Sequence, residues 1–168
     1  MSALIKLQIQ QKLTTILNEI TVANGFNTEN KGTWRGRSQF GQETDIPFLA
    51  LMESPRSDIS DWATEDNTVS KDAWTLLIQG FVSANGQEHP TDAAYIFLHD
   101  VETQLGKITA TRSNGFSGGQ YPEYFMLNGM ITKLELEPAV VRPGGDDVSP
   151  MAYFYQPVRL TLVRDLKC

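Results

Sequence analysis

The chain has 168 residues, 40% of them hydrophobic and 20% charged, with 14 Lys and Arg against 20 Asp and Glu for a net charge of −6. That length suits one domain, 1–168, and the apolar content excludes an intrinsically disordered chain. The acidic balance argues against broad attraction to nucleic-acid phosphates, and the single cysteine, Cys168, allows neither an internal disulfide nor a Cys-based zinc cluster. No stretch approaches the roughly 18 consecutive apolar residues of a membrane span, and the first residues lack the basic-then-apolar order of a secretory signal. The expectation is a protein made in the cytosol, with no membrane partner.

The first segment reads as an amphipathic helix. Ile5, Ile9, Leu13, Ile16, Leu17 and Ile20 recur at spacings of three and four, with Lys6, Gln10, Gln11, Lys12 and Glu19 between them. Ser2 is the candidate N-cap and Asn24-Gly25 the candidate stop. The stripe needs a sheet or a second helix to cover it. From Phe26 to Gln42 the pattern is broken by Asn and Gly, with a short strand expected at 33–37. The run Ile46–Met52 is continuously apolar and reads as a buried strand, with Pro47 near its start, where a missing N–H is tolerated.

Glu53–Asp72 is polar and reads as a long loop, of the kind that is functional or ordered by a partner. Trp62 within it either folds back over the core edge or is a partner contact, since Trp is enriched at interfaces. Ala73–Ser83 is the clearest strand: Trp74, Leu76, Ile78 and Val82 share one face. Gly80 in its middle predicts a bulge or a close backbone approach.

Pro90-Thr91-Asp92 opens a second helix, with Ala94, Leu98, Val101 and Leu105 on its stripe and Gly106 as its expected stop. Thr111–Tyr121 is a Gly- and Ser-rich loop. Two strands close the chain. Met130, Thr132, Leu134 and Leu136 alternate with Ile131, Lys133, Glu135 and Glu137; Val158, Leu160 and Leu162 alternate with Arg159, Thr161 and Val163. The turn-rich Val141–Asp147 between them predicts an antiparallel hairpin whose tip projects past the core. The fold class is α+β: an antiparallel or mixed sheet, two helices mainly on one face, and a long projecting C-terminal hairpin.

Catalytic patterns are poorly supported. His99 and Asp100 are neighbours on a helix and so point to different faces, and both His89 and His99 read as solvated. Gly115-Phe116-Ser117-Gly118-Gly119 fits G-x-S-x-G, but no strand precedes Ser117 and both histidines come before it in the chain. Asp146-Asp147 lack the further ligands of a calcium loop, and no phosphate-cradling glycine motif is present. No cofactor or metal is expected, and the chain is not expected to be an enzyme. Trp34, Arg35 and Arg37 form a small aromatic and basic group that would suit single-stranded nucleic acid.

Four pieces in order resemble the tail terminator family of long-tailed bacteriophages, also called tail completion or head–tail joining proteins. They are the N-terminal helix ending at Asn24-Gly25, DIPFLALMES at 45–54, AWTLLIQGFV running into PTDAAYIFLHDVETQL, and the terminal QPVRLTLVRD. The resemblance implies a structural virion protein in the tail and neck region, assembled in the host cytoplasm. Such a protein forms a ring, expected to be hexameric, that caps the tail tube, stops its polymerisation and docks the head connector or stopper. Genomic DNA would pass through the lumen without specific binding. Another neck or minor tail protein, or a small hydrolase, is the alternative. The expected contacts between subunits or rings are Trp62, Arg142, Pro143, Gly144, Gly145, Asp146, Asp147 and Val148.

Overall fold

The computed structural model describes residues 2–36, 45–53, 69–83, 89, 91–111, 118–143 and 151–165. It has the expected α+β class. A mixed six-stranded sheet is built from β1 (Thr33–Arg35), β2 (Phe48–Glu53), β3 (Val69–Val82), β4 (Lys133–Leu136), β5 (Val140–Arg142) and β6 (Ala152–Asp165). The strand order is β1-β2-β3-β6-β4, with β5 also on β6, and β1–β2 is the parallel pair. Helices α1 (Ser2–Asn18) and α2 (Asp92–Thr109) cover one face.

The apolar stripes decide which helix faces turn inward. Ile9, Leu13, Ile16, Leu17 and Ile20 are fully buried against Leu49, Leu51, Leu76 and Ile78 of the sheet. Each such side chain contributes about 1.5–3 kcal/mol when removed from water. From β3, Trp74, Leu76, Ile78 and Val82 all face this core, as their alternation predicts. Trp74 donates its indole N–H to Glu53 Oε1 (3.0 Å), and Lys6 Nζ lies 5.2 Å from its ring centre.

Several boundaries differ from expectation. Helix α1 starts at Ser2 itself and ends at Asn18, six residues before Asn24. Thr21 is extended (φ −136°, ψ 156°) and its hydroxyl caps a 3₁₀ turn, Val22–Asn24, which Gly25 closes at φ +91°. Val22 falls off the apolar stripe and is 59% exposed, so continuing the helix would bury nothing further. The short strand stops at Arg35, and Arg37 lies outside the described residues. Strand β3 begins at Val69, inside the segment expected to be loop, because β6 pairs with it from Asp165 onward.

Gly106 does not stop α2, which runs on to Thr109. A mid-helix glycine costs about 1 kcal/mol relative to alanine. Fully burying Ile108, one turn further on the stripe, contributes about twice that, so the tertiary term wins. Gly80 makes a close approach and not a bulge: β3 and β6 pair without interruption from Val69↔Asp165 to Val82↔Ala152.

The last hairpin is also more broken than its alternation suggests. Strand β4 begins only at Lys133. Before it, Met126–Gly129 form one left-handed turn, with φ of 49°, 50°, 60° and 82°. Left-handed backbone costs roughly 1–2 kcal/mol per non-glycine residue. Here Leu127, fully buried, and Ile131, 3% exposed, hold the turn against the core. Ile131, on the row that alternates with Met130 and Thr132, is buried, Met130 and Leu134 pack partly against the core, and Leu136 is 40% exposed. The register changes by one between Glu137, whose N–H donates to Pro157 O, and Val140, opposite Tyr155. Pro138 and Ala139 together oppose Gln156, which makes a bulge. The Gln156 side chain, 1% exposed, fills that place by donating to Glu137 O and Pro157 O. Val141 and Arg142, expected in the turn, belong to β5.

Candidate assembly surface

The sheet register sorts side chains into rows. On the face away from the helices, Phe48, Phe81, Tyr153 and Arg142 lie opposite one another across β2, β3, β6 and β5. The Phe48 and Phe81 rings stack at 4.9 Å, and Phe81 and Tyr153 at 6.0 Å. The next row runs Trp34, Ala50, Gln79, Tyr155 and Val140. Beyond it come Met52, Leu77 and Pro157, and then the polar Thr75, Arg159 and Glu135. One end of this face is thus aromatic and aliphatic, and the other is polar. Phe48, Ala50 and Tyr153 are buried, Phe81, Leu77 and Tyr155 are half-buried, and Trp34 and Arg142 are exposed. An antiparallel sheet with one solvated face ordinarily carries polar residues there.

Of the expected contact residues, Arg142 and Pro143 are exposed at the end of β5, and Arg142 continues the aromatic row of Tyr153. Trp62, Gly144, Gly145, Asp146, Asp147 and Val148 lie outside the described residues, as do the expected hairpin tip and Ser117. Trp34 and Arg35, grouped by their closeness in sequence, stand on opposite faces of β1: Trp34 pairs in register with Ala50 on the helix-free face, and Arg35 with Leu51 on the helix side. They do not form one basic-aromatic patch.

His99 is exposed, whereas Asp100 is 2% exposed and engaged elsewhere. Its carboxylate accepts the Asn27 N–H (3.1 Å), the Thr28 N–H (2.8 Å) and the Asn27 side-chain amide (3.2 Å). A carboxylate can only accept, so three donors from one loop are a matching set. This clamp fixes residues 27–28 against α2. Beside it, Glu29 Oε2 accepts the Val22 N–H at 2.9 Å.

A second polar group sits where α1, α2 and the segment before β4 meet. The Gln104 side chain donates to Ile16 O (2.7 Å), which takes up a carbonyl at the α1 end, and its buried Oε1 has no partner among the described residues. The Tyr124 hydroxyl donates to Glu19 Oε2. That bond to Glu19, followed by burial and the Glu19 charge, pushes the Tyr124 phenol from 10.0 up to about 12.

Neither polar group was anticipated from the sequence. The available signal is that Asp100 and Gln104 stand four apart among the apolar positions 97, 101, 105 and 108 of α2. Polar residues at stripe spacing mark buried hydrogen bonds. No group of three or more His, Cys, Asp or Glu side chains among the described residues is arranged to hold a metal ion.

Comparison of the chain with protein-family models and with curated proteins finds no match.

Proposed function

We propose that this chain is a structural virion protein of the tail-terminator type. Its copies form a ring, hexameric when complete, that caps the tail tube, stops its growth and gives the head connector a docking surface. Genomic DNA passes through the lumen without specific binding.

The observation that supports this reading best is the two-sided sheet. Both helices lie on one face, yet the opposite face keeps half-buried Phe81, Leu77 and Tyr155 and exposed Trp34 beside buried Phe48 and Tyr153, and it reaches exposed Arg142 at the hairpin. Apolar rows on a second sheet face suit a subunit whose surface is completed by neighbours. The paired β3 and β6, 14 residues each, make a ribbon about 45 Å long. Helix α2, with 18 residues, is about 27 Å long. Neither helix spans the ribbon, which leaves sheet for contacts between copies. In this reading Arg142 to Val148 and Trp62 meet an adjacent ring.

The test is the mass of the purified protein by light scattering, with negative-stain images of the same fraction. A six-fold ring with a central hole wide enough for duplex DNA is the expected result. A monomer that assembles only when mixed with tail-tube ends also fits, with the tube as template. A monomer that neither assembles nor binds tube ends overturns the reading. A ring that binds the connector and ignores the tube replaces it with a neighbouring neck component.

A further inference from the structure

A cleft of about 340 Å³ opens at the end of the sheet where β3 finishes, between the loop 27–29, the Ile46-Pro47 segment and the first turns of α2. Its walls are aliphatic: Ile46, Pro47, Val82 and Ile96 line it. Four polar residues line it as well, Asn27, Thr28, Glu29 and Ser83, and hydrogen bonds hold Asn27 and Glu29 in place. Glu29 is oriented by an exposed hydrogen bond from the Val22 N–H to Oε2, which leaves Oε1 as its second acceptor oxygen. Asn27 turns its side-chain N–H to the acceptor-only carboxylate of Asp100, so its Oδ1 is the amide atom left over. The cleft therefore offers a carboxylate oxygen and an amide oxygen at its solvent-facing rim, beside aliphatic walls and the small polar residues Thr28 and Ser83.

That combination selects for a positive charge at the end of an apolar stem. A neutral aliphatic group would fill the walls and leave the carboxylate to water. An anion would meet Glu29. The positive end of α2 opens nearby, and Asp92 in its first turn offsets it. The ammonium of lysine has three donors and no acceptor, and its four-carbon stem packs along apolar surface. We propose that this cleft receives a lysine or arginine side chain of a docking partner protein, with Glu29 as its counter-charge and Asn27 Oδ1 as a second acceptor. The inference rests on the cleft alone and holds whether or not the chain forms a ring.

The experiment uses the full chain with isotope-labelled Ile and Val methyls, which report from a monomer and from a large ring alike. It is titrated with N-acetyl-lysine methylamide and, separately, with the uncharged N-acetyl-norleucine methylamide. The expected result is saturable shifts of the Ile46, Val82 and Ile96 methyls by the lysine probe, with binding at least about fivefold weaker for the norleucine probe, as a part-buried charge-assisted hydrogen bond would give. Glu29→Gln keeps an acceptor for the Val22 N–H and removes the charge. It should bring lysine binding down to the norleucine level and leave norleucine binding unchanged. Equal binding of the two probes, lysine binding that survives Glu29→Gln, or no saturable shift at these three residues would each overturn the proposal.

Discussion

Gly80 on β3 lies directly opposite Phe154 on β6, and a Cβ on Gly80 would stand 2.2 Å from Phe154 Cε1 and 2.4 Å from its Cζ. The ring occupies the space a side chain would take. It is fully buried and meets Phe97 of α2 edge-on at 5.6 Å, so it has little room to turn aside. The ring thus lies between Gly80 and Phe97 of α2.

Gly80→Ala should lower stability by about 1–3 kcal/mol, the usual cost of overpacking a core. Adding Phe154→Leu should recover part of that loss, because it removes the ring that collides. Urea denaturation of the single and double variants checks this. Additive losses would show that the two residues do not share the strain.

Gly106→Ala should act in the opposite direction. The site lies within α2, is exposed, and has nothing within 4 Å of an added Cβ. Replacing an unstrained helical glycine stabilises by about 0.5–1 kcal/mol. A rise in the thermal midpoint is the expected outcome. A fall would mean that the helix ends at Gly106, contrary to the fold described above.

Asp100→Ala removes the acceptor for three donors at once. The expected loss is about 1–2 kcal/mol, since three bonds to a charged acceptor are lost while their part-exposed donors can turn to water. Hydrogen exchange locates the effect. The amides of Asn27 and Thr28 should exchange faster, while those in the β3–β6 pairing should keep their relative protection.

Tyr124 predicts a pH dependence on the alkaline side. Its phenol is raised from 10.0 to about 12 by the bond to Glu19, so the folded state holds this proton more tightly than the unfolded chain does. The stabilisation is fully present below pH 10 and is lost as the pH rises from there through about 12. Tyr124→Phe should cost about 1 kcal/mol at neutral pH. The variant should also lose less stability than the parent above pH 10, as denaturation midpoints measured on both proteins would reveal.

The elements that bury one continuous stripe or one alternating face were legible in the residue order. Ile9 to Ile20, Leu76 with Ile78, and Ala94 to Leu105 each declare their inward side by spacing alone, because a 3.6- or 2-residue period maps directly onto one face. The α+β class followed from their order. The candidate surface was only partly visible. Arg142 was singled out for its place near a turn, but its alignment with Tyr153, Phe81 and Phe48 joins residues from four strands far apart in the chain. No local pattern contains that row.

Tertiary contacts decided the rest. Gly106 carries a stop signal, but Ile108 beyond it gains more from burial than the glycine costs. Met130 and Thr132 fit a strand by alternation, yet the left-handed turn at Met126–Gly129 and the burial of Ile131 start β4 later. Asp100 reads as one more charged helix residue until the loop at Asn27–Thr28 folds over it. In each case the deciding partner is remote in sequence. Local spacing determines which side of an element turns inward, and only the assembled core determines where that element stops and which buried polar group meets which donor.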